Sequence, residues 1–281
     1  MTRGPVNSHV RRREMGARLR KHRANAGLAL DVVADYLDCT PSRVTRIEDG
    51  LAALRLAEAR DLLDLYRVLG ETRTQLLDLA QRVAEQNWWY PYADLIDHDF
   101  ETLLILEGEV MLLRTHQPNL VPGLLQTYRY GWELMTTLAD LPLHELDRRV
   151  RLRTARQRVL VRDPAPRLDL VIDEAALRRP VGGPDVMHEQ YERLIDVATT
   201  PTTTLRIVPL SAGPHRAVGF AFHIFDFEGG APRVMQIESF DREHFVNEAE
   251  EIHRYEEAYE AAVLRALDEQ DSVTLLRELA G

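Results

Sequence analysis

From about Arg11 to Arg82, apolar residues recur at three- and four-residue spacing, and the interruptions fall at residues that stop or start helices. The first helix is expected near Arg12–Ala26 and stops at Gly27, a residue suited to a left-handed terminator. Leu30–Leu37 makes a second, with Asp31 at the end where the helix dipole favours a negative charge. Asp38-Cys39-Thr40 then breaks the pattern. Thr40-Pro41 opens a third helix, with a hydroxyl cap followed by proline at the first helical position, and Asp49-Gly50 closes it. Leu56–Leu69 and Thr72–Gln86 complete an all-α segment of five helices.

An aromatic run, Trp88-Trp89-Tyr90-Pro91-Tyr92, marks a change of texture. Helices are expected near Asp99–Arg114, Leu124–Leu138 and Leu143–Val161. Leu168, Leu170 and Ile172 then alternate with Asp169 and Asp173, the period-two signature of a strand. Thr204–Pro209, Phe220–Phe227 and Arg233–Glu238 are three further strands, the last two joined through Glu228-Gly229-Gly230-Ala231-Pro232 as a hairpin. Helices at Met187–Thr199, Asn247–Asp268 and Val273–Leu279 fill the rest. Mixed elements of this kind imply an α+β domain with about four strands.

Charge alters the picture only when it is divided. The 281 residues carry a net charge of −10, which argues against a phosphate-rich partner. Residues 1–26, however, hold eight basic side chains against the single acid Glu14. Residues 1–84 together are at +4, so the remainder is at −14. One end of the chain is built for a different partner than the other. Lys21 is the only lysine and follows Arg20, so it does not belong to a phosphate-binding glycine loop. Cys39 is the only cysteine, which excludes an intrachain disulfide and a cysteine-based zinc site. Neither an apolar signal core nor a run of 18 apolar residues occurs, and a cytoplasmic, membrane-free chain is expected.

Two short helices joined by a tight turn describe a helix-turn-helix. On the third helix Val44 and Ile47 face inward toward Val33, Ala34 and Leu37, leaving Ser42, Arg43, Thr45, Arg46 and Asp49 outward. Arginine forks suit guanine O6 and N7, and hydroxyls suit purines or phosphate, so the outward set fits a major groove. The first helix brings Arg12, Arg13, Arg18, Arg20 and Lys21 nearby as phosphate-positioning cations. Against this stands the plainer reading, a helical bundle whose basic helix is a solvated face.

At this point the sequence resembles a known family. Gly27-Leu28 through Val33-Ala34, followed by Thr40-Pro41-Ser42-Arg43-Val44-Thr45-Arg46-Ile47-Glu48-Asp49-Gly50, resembles the XRE family, the phage-repressor type of helix-turn-helix. The resemblance implies that Pro41, Ser42 and Arg46 face the bases with Arg43 and Thr45 beside them, and that Arg23 pairs with Glu48 to set the helix angle. Ala29 stands where relatives usually carry a Thr or Ser cap, and Arg55 is the only phosphate candidate in the loop after Gly50. Farther on, Leu120-Val121-Pro122-Gly123-Leu124-Leu125-Gln126-Thr127, Arg156-Gln157 and Val171-Ile172-Asp173-Glu174-Ala175-Ala176-Leu177-Arg178-Arg179 resemble the uncharacterised, antitoxin-like C-terminal domain of many high-GC Gram-positive XRE regulators. That resemblance implies control of development or antibiotic production, a homodimer on a palindromic double-stranded DNA operator, and a small acidic protein partner; a small-molecule effector is the other candidate input.

The fold class that follows is mixed. A flexible basic arm at 1–10 precedes an all-α helix-turn-helix domain of five helices at 11–86, and an α+β sensing and dimerisation domain occupies 87–281. Trp88, Trp89, Tyr92 and Gln126 are candidates for a ligand or partner site, with interdomain packing as the competing role of the aromatics. Asp173 and Glu174 are polar groups in apolar surroundings that helix capping would equally explain. Catalysis is not expected: Pro209-Leu210-Ser211-Ala212-Gly213 departs from a nucleophile elbow at its first position, and no nucleotide-binding glycine pattern occurs. No histidines pair at metal-ligand spacing, so neither metal nor cofactor is expected. The principal alternative to an effector-modulated regulator is an antitoxin-like adaptor that binds a small protein and uses DNA binding for autoregulation.

Overall fold

The computed structural model describes residues 8–84, 88–139, 141–238 and 243–281. It divides into two compact units, Met1–Glu109 and Val110–Gly281.

The first unit is helical: α1 (Ser8–Asn25), α2 (Leu30–Tyr36), α3 (Pro41–Asp49), α4 (Leu56–Leu65), α5 (Gly70–Ala84), a 3-10 stretch at Tyr90–Leu95, and α6 (His98–Glu109). Thr40 caps α3, its Oγ1 accepting from the Arg43 amide at 3.3 Å, and Gly50 ends it in the left-handed region at φ 74°. Ala29 gives α2 no side-chain cap. Apolar residues from α1 to α5 meet in a common core of Met15 and Leu19, Val33 and Ala34, Val44 and Ile47, Leu62 and Leu63, and Leu76 and Val83. Each fully buried aliphatic side chain of this kind contributes about 1.5–3 kcal/mol. Two glycines let α1 lie against the end of α3. A Cβ on Gly16 would stand 2.4 Å from the Glu48 carbonyl, and one on Gly50 would stand 2.8 Å from the Arg13 amide.

Several boundaries differ from the sequence expectation. Residues 8–10 of the expected arm are helical, and the rest of that arm lies outside the described residues. The fourth helix ends at Leu65 rather than Leu69, because Arg67 turns into the left-handed region at φ 55°. The expected end of the fifth helix and the boundary at 86–87 also lie outside the described residues. The two compact units divide at Glu109, so residues 88–109 belong to the first.

The second unit is built on a six-stranded sheet, ordered β3-β2-β1-β4-β5-β6. Its elements are β1 (Leu112–Gln117), α7 (Tyr128–Leu138), α8 (Leu143–Arg156), β2 (Arg167–Asp173), α9 (Glu174–Arg178), α10 (Pro184–Ala198), β3 (Thr203–Val208), β4 (Phe222–Asp226), β5 (Val234–Glu238), β6 (Glu243–Val246), α11 (Ala249–Val263) and α12 (Glu269–Ala280). β1, β2 and β3 are parallel, and β4, β5 and β6 add antiparallel neighbours. Two strands exceed the expected four. β1 lies where the helix at Asp99–Arg114 was expected to finish, and its pairing on both sides, with β2 and β4, overrides a local pattern that reads as helix. β6 has only four residues, too few for alternation to register.

β2 is flanked by β3 and β1, and every residue from Leu170 to Asp173 is buried, with Val171 and Ile172 fully so. On one face Ile252, Tyr259 and Ala262 of α11 pack against Val171, Phe222, Ile224 and Met235. The connection from β3 to β4, residues 209–221, has a demanding path. β3 is at the sheet edge while β4 lies beyond β1 and runs antiparallel to it, so the chain must pass over the carboxyl ends of β2 and β1.

Candidate nucleic-acid interface

The first turn of α3 presents Pro41 and Ser42 to solvent. Behind this face Arg23 clasps Glu48 in a fork, Nε to Oε1 at 2.6 Å and NH2 to Oε2 at 2.9 Å. Its NH1 donates to the Leu28 carbonyl at 2.9 Å. Arg20 joins from the next turn, reaching Glu48 at 3.2 Å and Asp49 at 2.5 Å. These carboxylates hold both guanidinium groups more firmly protonated: the bond to Glu48 dominates for Arg23 and the bond to Asp49 for Arg20. The Arg23 fork and the single Arg20 contact converge on one buried carboxylate and set the angle between α1 and α3.

The outward arginines are not idle in solvent. Arg43 donates to Glu58 of α4 at 3.0 and 3.2 Å. Glu58 also accepts from the Arg55 amide at 2.9 Å, the reciprocal half of a helix-start box, and stands 3.8 Å from the Arg55 guanidinium. Arg46 donates to Glu101 of α6 at 3.0 Å and to the Leu51 carbonyl at 3.0 Å, and its side chain is only 19% exposed. The other oxygen of Glu101 accepts from the Ala53 amide at 3.0 Å. Thr45 donates its hydroxyl to the Pro41 carbonyl at 3.2 Å. Among the residues singled out on this helix, Pro41 and Ser42 are open, whereas Arg43 and Arg46 are each held by a carboxylate. Glu58 and Glu101 escaped sequence reasoning because their partners lie 15 and 55 residues away.

Of the two adjacent arginines on α1, Arg13 is exposed and Arg12 is not. Arg12 was expected at the phosphates. Instead its side chain is buried, with NH1 3.5 Å from Glu109 and the guanidinium 5.6 Å from the centre of the Trp89 ring. Burial lowers its pKa, and Glu109 and Glu101 oppose that shift. Arg12 lies three residues before the buried Met15, on the same side of α1.

The expected ligand or partner residues separate. Trp88, Trp89 and Tyr92 belong to the first unit and Gln126 to the second. Trp89 is buried and meets Trp88 edge to face at 5.8 Å. It lines a cleft of about 630 Å³ beside α3, together with Ser42, Arg43, Arg46, His98 and Glu101. Tyr92 donates its amide to the Trp89 carbonyl at 2.8 Å. Gln126 is buried, donating to the Val121 carbonyl at 2.8 Å and accepting from Arg153 at 2.9 Å, which makes it a clasp for its own loop.

Residues 14–76 match the family model described as a helix-turn-helix domain, and residues 100–278 match a domain of unknown function, DUF5753. No curated protein and no solved structure matches the chain. Among the described residues, no helix is long and apolar enough to cross a membrane.

Proposed function

The chain belongs to the DUF5753 family and carries a helix-turn-helix domain ahead of that region, and from this premise we propose that it is a sequence-specific transcriptional regulator of the XRE type. The helix-turn-helix match supports DNA binding. The observation that carries the finer reading is α3 itself: a capped helix locked to α1 through Glu48, with Pro41 and Ser42 open and Arg43, Thr45 and Arg46 on the adjoining surface. Such a helix enters a major groove with its N-terminal residues leading, where Ser42 bonds a base edge or phosphate, and Arg46, in the last turn, forks to guanine. Arg13 and Arg55 then supply backbone contacts, and the amides at the helix start add partial positive charge beside a phosphate.

In this reading Arg46 exchanges Glu101 for a base edge when DNA binds. Glu101 is thus a competitor of the operator, and whatever withdraws it strengthens binding. A homodimer would place two copies of α3 on half-sites about one helical turn apart, giving a palindromic operator. The second unit would supply the input, a small molecule or a small acidic protein.

Selection of genomic fragments bound by the full chain, repeated with Arg46→Ala, tests the reading. The expected outcome is a palindromic motif for the native chain and lost preference at one position per half-site for the variant. Fragments sharing no motif would overturn it.

A further inference from the structure

The sheet of the second unit assembles three residues that the DNA-binding reading does not use. His116 lies near the end of β1, Asp173 ends β2, and His215 rides on the connection that crosses the carboxyl ends of those strands. Their donor atoms all lie within 4.8 Å of one another. Asp173 Oδ1 is 3.4 Å from His116 Nε2 and 3.2 Å from His215 Nε2. The side chains are 0%, 13% and 2% exposed for His116, Asp173 and His215.

The hydrogen bonding of this cluster is incomplete in an informative way. His116 Nδ1 is 2.7 Å from the Phe220 carbonyl, which can only accept, so Nδ1 carries a proton, and in the neutral ring Nε2 presents its lone pair to Asp173. A cation between Nε2 and Asp173 Oδ1, whether a proton or a metal ion, satisfies both atoms. His215 commits Nε2 to Asp173, and its Nδ1 is buried without a partner. Asp173 is also the residue preceding α9, yet its carboxylate makes no cap bond to that helix. Helix capping does not explain this carboxylate.

We propose that His116, Asp173 and His215 form a binding site for a divalent first-row transition-metal ion of the zinc class. Metal–nitrogen and metal–oxygen bonds of about 2.0–2.2 Å put neighbouring ligand atoms about 3.0–3.4 Å apart in tetrahedral or octahedral shells. The two measured separations, 3.4 and 3.2 Å, have that length. The third edge closes by an approach of His215, which stands on a connection and not in a strand. Two imidazoles in a set of three disfavour calcium and magnesium, which take oxygen. The carbonyl of Phe220 orients His116 as an outer partner orients a ligating histidine. Three protein ligands leave at least one position for water or an exogenous anion, the arrangement of open rather than purely structural zinc sites.

Chelator-treated full-length protein, titrated with Co²⁺ and followed by its visible d–d absorption, tests this site directly. The expected result is one equivalent bound and then displaced by Zn²⁺. His215→Ala and Asp173→Asn should each weaken Co²⁺ binding by more than about tenfold. His253→Ala, at an exposed position on α11, should leave it unchanged. Circular dichroism establishes that each variant is folded, and Asp173→Asn retains side-chain shape if the alanine variant does not fold. Absence of a d–d band in the native chain, or a band that survives both substitutions, would overturn the assignment. The titration contains no DNA, so its failure and the failure of the operator reading are separate results.

Discussion

Two buried carboxylates, Glu48 in the first unit and Asp173 in the second, are held in opposite ways. In the first, Glu48 is 3% exposed and both its oxygens have partners, Oε1 on Arg23 and Oε2 on Arg23 and Arg20. In the second, Asp173 sits between two imidazoles, and one of them leaves a buried nitrogen without a hydrogen bond. A saturated network holds geometry and has no capacity left for a ligand. An unsaturated one retains the cost of desolvation until something completes it. The same physics therefore assigns a scaffolding role to Glu48 and a binding role to Asp173.

The largest expected effect comes from breaking the saturated network. Glu48→Ala leaves Arg23 without its fork partner in a largely buried setting, and should cost about 3–5 kcal/mol. Chemical denaturation of the full chain, followed by a probe in the first unit, measures the loss. Replacing Arg23 and Glu48 together by apolar residues of similar volume should cost much less, because no charge is then stranded. If the single variant were as stable as the native protein, Glu48 would not be a clamp, and the contrast with Asp173 would fail.

Next in size is the reader itself. Arg46→Ala should weaken operator binding by about 1–3 kcal/mol and relax selectivity at one base position. Its counterpart is Glu101→Gln, which removes the charge that holds Arg46 while keeping the shape. Gel-shift titration should show binding about three- to tenfold tighter, because a charge-assisted bond no longer competes with the base. Unchanged affinity would mean that DNA engages α3 without displacing Glu101.

What the sequence disclosed follows from the range of the interactions involved. Thr40-Pro41, Gly50 and the three- and four-residue spacings act within one or two turns, so the helices of the first unit were readable, with α3 placed at Pro41–Asp49. β1 was misread as the end of a helix because its identity comes from neighbours 55 and 114 residues farther along, at Arg167 and Asp226 opposite Leu112. The cluster at Asp173 was invisible for the same reason. Its histidines are 57 and 42 residues away, and no spacing rule joins two strand ends and a crossing loop. The acids holding Arg43 and Arg46 belong to this class too, since an outward helical position establishes only that a side chain can reach solvent, not that it does.

The smallest expected effect separates two adjacent arginines that composition treats as one basic patch. Arg13 is exposed beside α3, whereas Arg12 is buried against Trp89 and Glu109. If Arg13 touches a phosphate, Arg13→Ala releases about one fewer counterion, and the slope of log K against log salt flattens by about 0.9 for every DNA sequence alike. Arg12→Ala strips a buried ion pair and a cation–π contact, so it should lower the stability of the first unit and leave that slope unchanged wherever the protein remains folded. Binding isotherms at four or five salt concentrations, on operator and random DNA, distinguish the two. A flattened slope for Arg12→Ala would show that the buried arginine emerges on DNA.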